Sequence, residues 1–192
     1  MSLRPQLVMR RPHLREVPAA VPPEGYELRH FRPGDEAGWN ALMDLAFERR
    51  PGQSDFAREM AADDPYRPER VKLLLDATGK IVATASCWVL PRYGDDAAVL
   101  HWVARHPGHG GRGLGALVSL AVLHQAVEEG RRRAFLQTDD FRVPALRIYL
   151  RMGFEPVIAH GSHPDRWRRI LEDLDWPERF EPILRGPRER YE

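Results

Sequence analysis

Five glycines fall within residues 108–115, inside the stretch HWVARHPGHGGRGLGALVSLAVLHQAVEEG that spans residues 101–130. An apolar run precedes these glycines and a long helical pattern follows them, which predicts a strand, a glycine-rich turn and a helix. At such a turn the unpaired backbone N–H groups point outward, and the helix dipole adds partial positive charge. The stretch is therefore predicted to bind an anionic group at the start of a helix.

Three anionic ligands fit a loop of this kind. A Walker phosphate loop needs a Lys-Ser or Lys-Thr step after the glycines, and the chain has none there. Gly108, Gly110 and Gly113 satisfy the dinucleotide pattern G-x-G-x-x-G, but a His-Pro step precedes them and the unit begins halfway along the chain. Dinucleotide binding stays an alternative, and coenzyme A is the third ligand.

The rest of the chain alternates strand and helix patterns. Strands are predicted at 26–31, 71–76, 80–90, 97–105, 132–138 and 154–159, and helices at 36–49, 113–129, 144–152 and 165–174. Short turns link the three strands between residues 71 and 105, which predicts an antiparallel meander. The helix between the strands at 97–105 and 132–138 forms a crossover, which predicts that these two strands pair in parallel. The expected fold is an α/β or α+β domain with a mixed sheet.

Proline content and polarity mark the domain limits. Residues 1–24 contain five prolines and little periodicity, which predicts an extended N-terminal arm. The main domain is expected over 25–160, and a C-terminal helix and tail over 161–192 are expected to pack on it. The polar, proline-bounded segment 50–70 is interpreted as a loop with one short helix, suited to a lid or specificity loop.

Composition narrows the function classes. A net charge of +1, from 29 basic and 28 acidic residues, argues against a nucleic-acid partner. The one cysteine, Cys87, excludes an internal disulfide framework and is expected to be a small buried hydrophobe. No segment approaches the ~18 apolar residues of a membrane span, and no histidine spacing suggests a metal site. A cytoplasmic protein without a membrane partner is expected.

Two motifs carry a family resemblance. HPGHGGRGLGALVSLAVL resembles the signature of the GNAT superfamily of N-acetyltransferases, in which a strand leads into R/Q-x-x-G-x-G/A and a helix; Gly113 and Gly115 occupy the glycine positions. PALRIYLRMGFEP resembles the A-x-x-x-Y-x-x-x-G-F segment of that superfamily. Its matching residues are Ala145, Tyr149, Gly153 and Phe154. The stretch YELRHFRPGDEAGWNALMDLAF resembles its first strand and helix, so the resemblance covers roughly residues 26–158.

The resemblance implies a GNAT-like, mostly antiparallel central sheet flanked by helices, with a parallel strand-loop-helix-strand unit that holds acetyl-CoA. The pantetheine arm is then expected along the strand that ends the meander, and the pyrophosphate on the loop and helix start. The implied cofactor contacts are Val103, Ala104, Arg105, Gly110, Gly111, Arg112, Gly113, Leu114, Gly115 and Ala116.

Two positions depart from the family pattern. Gly110 stands where the family has Arg or Gln, so Arg112 or the arginines at 131–133 are candidates to compensate. Arg142 stands where many members have Asn; it is a candidate to meet a cofactor phosphate, with Asp139 and Asp140 as competing partners.

The implied reaction is direct transfer of an acetyl group from acetyl-CoA to an amine. Tyr149 matches the family tyrosine and is the expected general acid, since its phenol can donate a proton to the departing thiolate. The alternative is a core role in an apolar helix stripe. His101 begins an H-x-x-x-x-H pattern that resembles arylalkylamine acetyltransferases, and it is the candidate general base; the alternative is an ordinary strand histidine.

The acceptor is expected to be a small-molecule or peptide amine. Its pocket is expected between the loops at 50–70 and 90–96, which contain six acids that are candidates to seat a cationic amine: Asp55, Glu59, Asp63, Asp64, Asp95 and Asp96. A homodimer is expected from an exposed sheet edge. The alternative of a different class is a non-catalytic acyl-CoA binding or sensing domain.

Overall fold

The structure of the chain, a computed structural model, describes residues 4–176 and 178–189. Residues 1–3, 177 and 190–192, which belong to the expected arm and tail, lie outside the described residues. One seven-stranded sheet forms the centre, in the order β2-β3-β4-β5-β6-β1-β7. Its strands are β1 Leu7–Arg11, β2 Tyr26–His30, β3 Val71–Asp76, β4 Ile81–Trp88, β5 Ala97–Arg105, β6 Arg133–Thr138 and β7 Glu155–Val157.

The pairing follows the predicted connections. Strands β2 to β5 form an antiparallel meander, and β5 pairs in parallel with β6 across a helical crossover. This mixed, mostly antiparallel sheet is the expected fold class. It also excludes a doubly wound dinucleotide-binding fold, because β5–β6 is the one parallel pair among the described strands.

The N-terminal segment contributes a strand where the sequence pattern predicts an extended arm. Within the arm expected over 1–24, β1 is inserted between β6 and β7 and pairs antiparallel with both. Leu7, Val8 and Met9 are all buried. A strand covered on both faces has no alternation of apolar and polar residues, so its five residues carry no period-two signal.

Helices cover both faces of the sheet. They are α1 Glu36–Ala46, α2 Leu114–Glu128, α3 Val143–Arg151, α4 His163–Asp173 and the short α5 Glu181–Leu184. One apolar layer lies against α2, α3 and α4, around Leu100, Leu146 and Trp167, and a second lies against α1, around Trp39. Cys87 is fully buried in β4, and burial raises the pKa of its thiol to about 12, so it is an inert core residue. No helix in the described part of the chain is long and apolar enough to cross a membrane.

The strands β5 and β6 separate after four paired positions. Their register runs from Ala97 opposite Arg133 to Leu100 opposite Leu136 and then ends. In the same place β5 carries a bulge against β4: Ser86 pairs with His101 and Thr84 with Ala104, so β5 has one extra residue. Trp102 lies in this bulge at φ +48°. A bulge bends its strand, and the bend turns the second half of β5 away from β6 and opens a cleft.

Candidate functional site

The cleft between the diverging strands holds two adjoining cavities of about 210 and 250 Å³. Val103, Arg142 and Tyr149 line both of them. The first cavity is otherwise lined by Ala46, Ala104, Arg105, Gly115, Pro144, Ala145 and Ile148. The second is lined by Gln6, Phe47, Leu100, His101, Trp102, Gln137, Thr138 and Asp139. The site is therefore built where the sheet opens, with α3 as one wall.

The first cavity joins an unpaired strand edge to a helix start. From His101 to Arg105, β5 has no pairing with β6, so this edge is open to an extended, amide-rich ligand. The first intrahelical bond of α2 runs from the Leu117 N–H to the Gly113 carbonyl. The amides of Leu114, Gly115 and Ala116 are consequently without an intrahelical acceptor and carry the positive end of the helix dipole.

The glycine loop has the conformation that its sequence requires. Gly111 and Gly113 adopt φ of +74° and +71°, a region that glycine reaches without steric cost. An added Cβ at Gly113 or Gly115 would meet no protein atom within 4 Å, so space is left beside the helix start. Among the predicted phosphate-binding residues at 110–116, Gly115 lines the first cavity, and the others precede or follow it in the loop and the first turn of α2. Leu114 contributes only backbone there, since its side chain is fully buried.

Tyr149 lies on α3 and faces the cleft. Its residue surface is 7% exposed, and it lines both cavities. Burial raises the pKa of its phenol to about 12, with the Arg142 charge acting in the opposite direction. The phenol is therefore protonated at every working pH. This position is compatible with both roles considered from the sequence, a general acid and a core residue. The residue lines the cleft, and its ring also belongs to the apolar layer beside Phe154.

His101 lies at the start of the unpaired edge of β5 and lines the second cavity. Its imidazole is flanked by the rings of Trp88 and Trp102. Desolvation lowers its pKa to about 4, with a small opposing contribution from Asp63. His101 is therefore neutral at physiological pH and is a weak base.

Arg142 lies at the start of α3 between the two cavities. Its guanidinium lies 4.6 Å from the ring centroid of Phe47 and 5.2 Å from that of Phe141, and its Nε donates to Asp139 Oδ2 at 3.3 Å. Asp140 instead binds Arg166. Of the two competing carboxylates considered from the sequence, Asp139 is thus the actual partner.

The expectation that the arginines at 131–133 serve the glycine loop is wrong, and two of the six candidate acids are paired with arginines. The arginines at 131–133 lie at the opposite end of the crossover from the glycine loop, where Arg131 donates to the Asp95 carbonyl and Arg133 pairs with Asp96 at 3.0 Å. They cannot compensate for Gly110 at the loop. Asp96 is engaged there, and Glu59 pairs with Arg49 at 2.7 Å, so these two acids are not free to seat an amine.

Several cleft residues were not named from the sequence. Gln137 and Thr138 lie at the carboxyl end of β6, which pairs in parallel with β5. Ligands bind at the carboxyl ends of parallel strands, so the predicted strand order could have identified these two residues. Gln6 gave no signal, because it lies directly before the unrecognised strand β1. Phe47 follows α1 and reaches the second cavity through the fold alone.

The fold and the cleft define the class: an α/β domain whose site lies at an opening between two parallel strands, beside a glycine-rich helix start. A family model described as the acetyltransferase (GNAT) family matches residues 39–154, more than half of the chain. The chain belongs to the GNAT acetyltransferase family.

Individual relatives agree with this assignment. Mycothiol acetyltransferases from Pseudarthrobacter chlorophenolicus and Salinispora arenicola are 34% and 32% identical, over segments that cover 72% and 81% of this chain and 45% and 53% of theirs. A solved GCN5-related N-acetyltransferase from Sphaerobacter thermophilus shares 27% identity with a TM-score of 0.59, over 80% of this chain and 49% of that one. The chain spans about half the length of these relatives.

Proposed function

We propose that the chain transfers an acetyl group from acetyl-CoA to an amine held in the second cavity. One observation carries this proposal: the open edge of β5, the free amides at the start of α2 and the phenol of Tyr149 border one continuous cleft. An extended amide chain, a pyrophosphate and a departing thiolate need these three features in that order.

The backbone supplies the binding groups. The pantetheine amides would pair with β5 near Val103, Ala104 and Arg105, and the pyrophosphate would accept hydrogen bonds from amides at 110–116. The acetyl thioester would then lie near the bulge at Trp102. Neutral amides and a helix dipole are fixed by the fold before the ligand binds, so their contacts with the phosphates cost little entropy.

Tyr149 assists departure of the thiolate. Transfer forms one N–C bond and breaks one C–S bond, and the thiolate must gain a proton. A phenol with a pKa of about 12 is a weaker acid than a thiol, whose pKa is about 8.5. Tyr149 therefore acts first as a hydrogen-bond donor to the developing negative charge. It then passes its proton to sulfur, and the phenolate is reprotonated by the proton that the nitrogen releases to His101 or water.

His101 receives a proton late in the reaction. An ammonium group has a pKa of about 7.8 at an α-amine and about 10.4 at a lysine, so transfer to an imidazole of pKa about 4 is uphill by roughly four to six pKa units. The free amine must therefore form by loss of a proton to solvent. After attack, the nitrogen of the tetrahedral intermediate is a far stronger acid, and His101 can accept its proton directly or through water.

Thiol release from acetyl-CoA, measured across a panel of amines, tests the proposal. The panel contains amino acids, peptides with free N-termini, lysine side chains, amino sugars and the amine from which acetylation yields mycothiol, since the relatives carry that name. Release that needs both the protein and an amine supports transfer. Thermal stabilisation by acetyl-CoA without release for any amine would support the sensing domain instead, and stabilisation by NAD alone would overturn both.

A further inference from the structure

The glycine loop is attached to the edge of the sheet through one phenol oxygen. Tyr26 begins the edge strand β2, and its hydroxyl lies 2.9 Å from His109 Nδ1. The same oxygen accepts a hydrogen bond from Arg112 Nη1 at 2.5 Å. These two partners flank Gly110 and Gly111, so a single residue more than eighty positions away holds both ends of this glycine pair.

The side chain of Arg112 is oriented by a hydrogen bond, but its charge is not neutralised. No carboxylate among the described residues forms an ion pair with Arg112, whereas Arg29, on the same edge strand as Tyr26, pairs with Asp35 at 2.6 Å. Arg112 is exposed beside Gly111 and Gly113. A neutral phenol that orients a guanidinium leaves its full positive charge available to an incoming anion, whereas a carboxylate partner would cancel it.

The loop needs such an attachment. Gly110 and Gly111 lack side chains, and glycine loses more conformational freedom on ordering than any other residue. The second partner strengthens the attachment, because His109 Nε2 lies 3.9 Å from Asp76 Oδ2, and Asp76 itself lies opposite Tyr26 in the sheet. The bond from the Tyr26 hydroxyl to Nδ1 leaves the ring proton on Nε2, directed toward that carboxylate.

We propose that Tyr26 is a positioning residue that orients Arg112 toward the phosphates of acetyl-CoA, so that Arg112 replaces the side chain that Gly110 lacks. This inference rests on the proposed function and adds the residue that shapes its phosphate site. Tyr26 acts through Arg112 and His109 and takes no part in acetyl transfer. Its effect should appear in the affinity for the phosphorylated donor and not in the chemical step.

Steady-state kinetics with two acetyl donors test this role. Acetyl-CoA carries the phosphates, and acetyl-pantetheine has the same thioester without them. For Tyr26→Phe we expect the KM for acetyl-CoA to rise about tenfold, as for loss of a hydrogen bond to a charged group, while kcat stays within about twofold. With acetyl-pantetheine, Tyr26→Phe and the unmodified protein should have equal kcat/KM.

Arg112→Ala provides the second variant, since its exposed side chain can be removed without disturbing the core. It should raise the KM for acetyl-CoA by tenfold or more, and adding Tyr26→Phe to it should cost less than about threefold further. Arg169→Ala, an exposed arginine on α4, is the matched charge control and should leave both donors unaffected.

The outcomes are distinguishable. Equal loss with acetyl-CoA and acetyl-pantetheine in Tyr26→Phe would show a structural role and overturn the inference, as would an unchanged KM in Arg112→Ala. Failure of the unmodified protein to turn over either donor with any amine would instead contradict the proposed function. In that case the Kd of coenzyme A, compared between the same variants and with pantetheine, still tests the inference: tenfold weaker binding of coenzyme A alone supports it, and unchanged binding overturns it.

Discussion

Leu100 and Leu136 form the last paired position between β5 and β6, and the next residue of each strand, His101 and Gln137, lines the second cavity. Beyond this point each strand keeps its other partner: β5 stays paired with β4, and β6 with β1. The walls of the cleft are therefore hydrogen-bonded strands. This arrangement fixes the two strand walls of the cleft independently of the loops around it.

Tyr149→Phe should separate catalysis from binding. Loss of the phenol proton donor is expected to lower kcat by about 100-fold, within the range for general acid catalysis. The aromatic ring is retained, so its packing against Phe154 and the affinity for acetyl-CoA should be preserved. Single-turnover acetyl transfer and titration calorimetry measure the two quantities. An unchanged kcat would show that Tyr149 is only a core residue.

Gly115→Ala should stabilise the protein and weaken cofactor binding together. Gly115 lies in the first turn of α2, and its added Cβ would meet no protein atom within 4 Å. Alanine is favoured over glycine in a helix by about 1 kcal/mol, so Tm should rise by about 2–4 °C. The same methyl group would occupy space expected for the pyrophosphate, and the Kd for coenzyme A should increase about tenfold.

Val127→Ala, at the other end of the same helix and 44% exposed, is the control and should leave the Kd unchanged. Tighter or equal binding of coenzyme A by Gly115→Ala would place the phosphates elsewhere.

His101 should make the fold sensitive to acid. Its pKa is lowered from 6.5 to about 4 in the folded chain, so the unfolded state binds more protons between these values. Stability is then lost as the pH falls from about 6.5 toward 4, and the share of His101 is ~3 kcal/mol. Urea unfolding at a series of pH values should show this slope reduced in His101→Gln.

Part of the slope should remain in that variant, because the pKa values of His106 and His163 are lowered as well. His13→Gln, at an exposed position of the arm, is the matched control and should keep the full slope. If His101→Gln also keeps it, His101 is not buried as described.

Removal of residues 1–12 should destroy most of the stability. The deletion takes away Leu7, Val8 and Met9, which are buried between β6 and β7. Burial of side chains of this size contributes about 1.5–3 kcal/mol each, against a total stability of about 5–15 kcal/mol for a domain. Loss of the cooperative thermal transition, followed by circular dichroism, is the expected result.

Val21→Ser changes an apolar residue of the same arm that is 72% exposed, and it should leave the melting curve unchanged. A deletion variant that melts like the full chain would mean that the arm is dispensable, as an extended arm outside the sheet would be.

Local patterns in the sequence predicted the parts of the site that depend on local geometry. The strand, glycine loop and helix around 97–129 and the helix bearing Tyr149 carry periodicity and turn residues, and the structure brings them together as expected. Strand β1 could not be found, because burial on both faces removes its alternation. The bulge at Trp102 was also beyond prediction, since a tryptophan at positive φ is an exception to backbone preference that tertiary packing must enforce.

The arginines at 131–133 show a second reason why the sequence alone could not predict the whole site. Their charge made them candidates for the phosphate site. However, the place of a residue in a parallel crossover decides whether it lies at the amino or the carboxyl ends of the two strands. They precede β6 and therefore lie beside the start of β5, where Asp95 and Asp96 bind them. Arg112, within the loop itself, is the arginine that the fold leaves available.

Titration of the ¹⁵N-labelled protein with coenzyme A, followed by amide chemical shifts, tests the central claim most directly. We expect the largest changes at Val103, Ala104 and Arg105 and along the loop and helix start at 110–116. The amides at 131–133 should stay unchanged, because they lie at the other end of α2. Saturable shifts at the far edge of the sheet, with none at the start of α2, would contradict both the cofactor site and the reaction proposed for it.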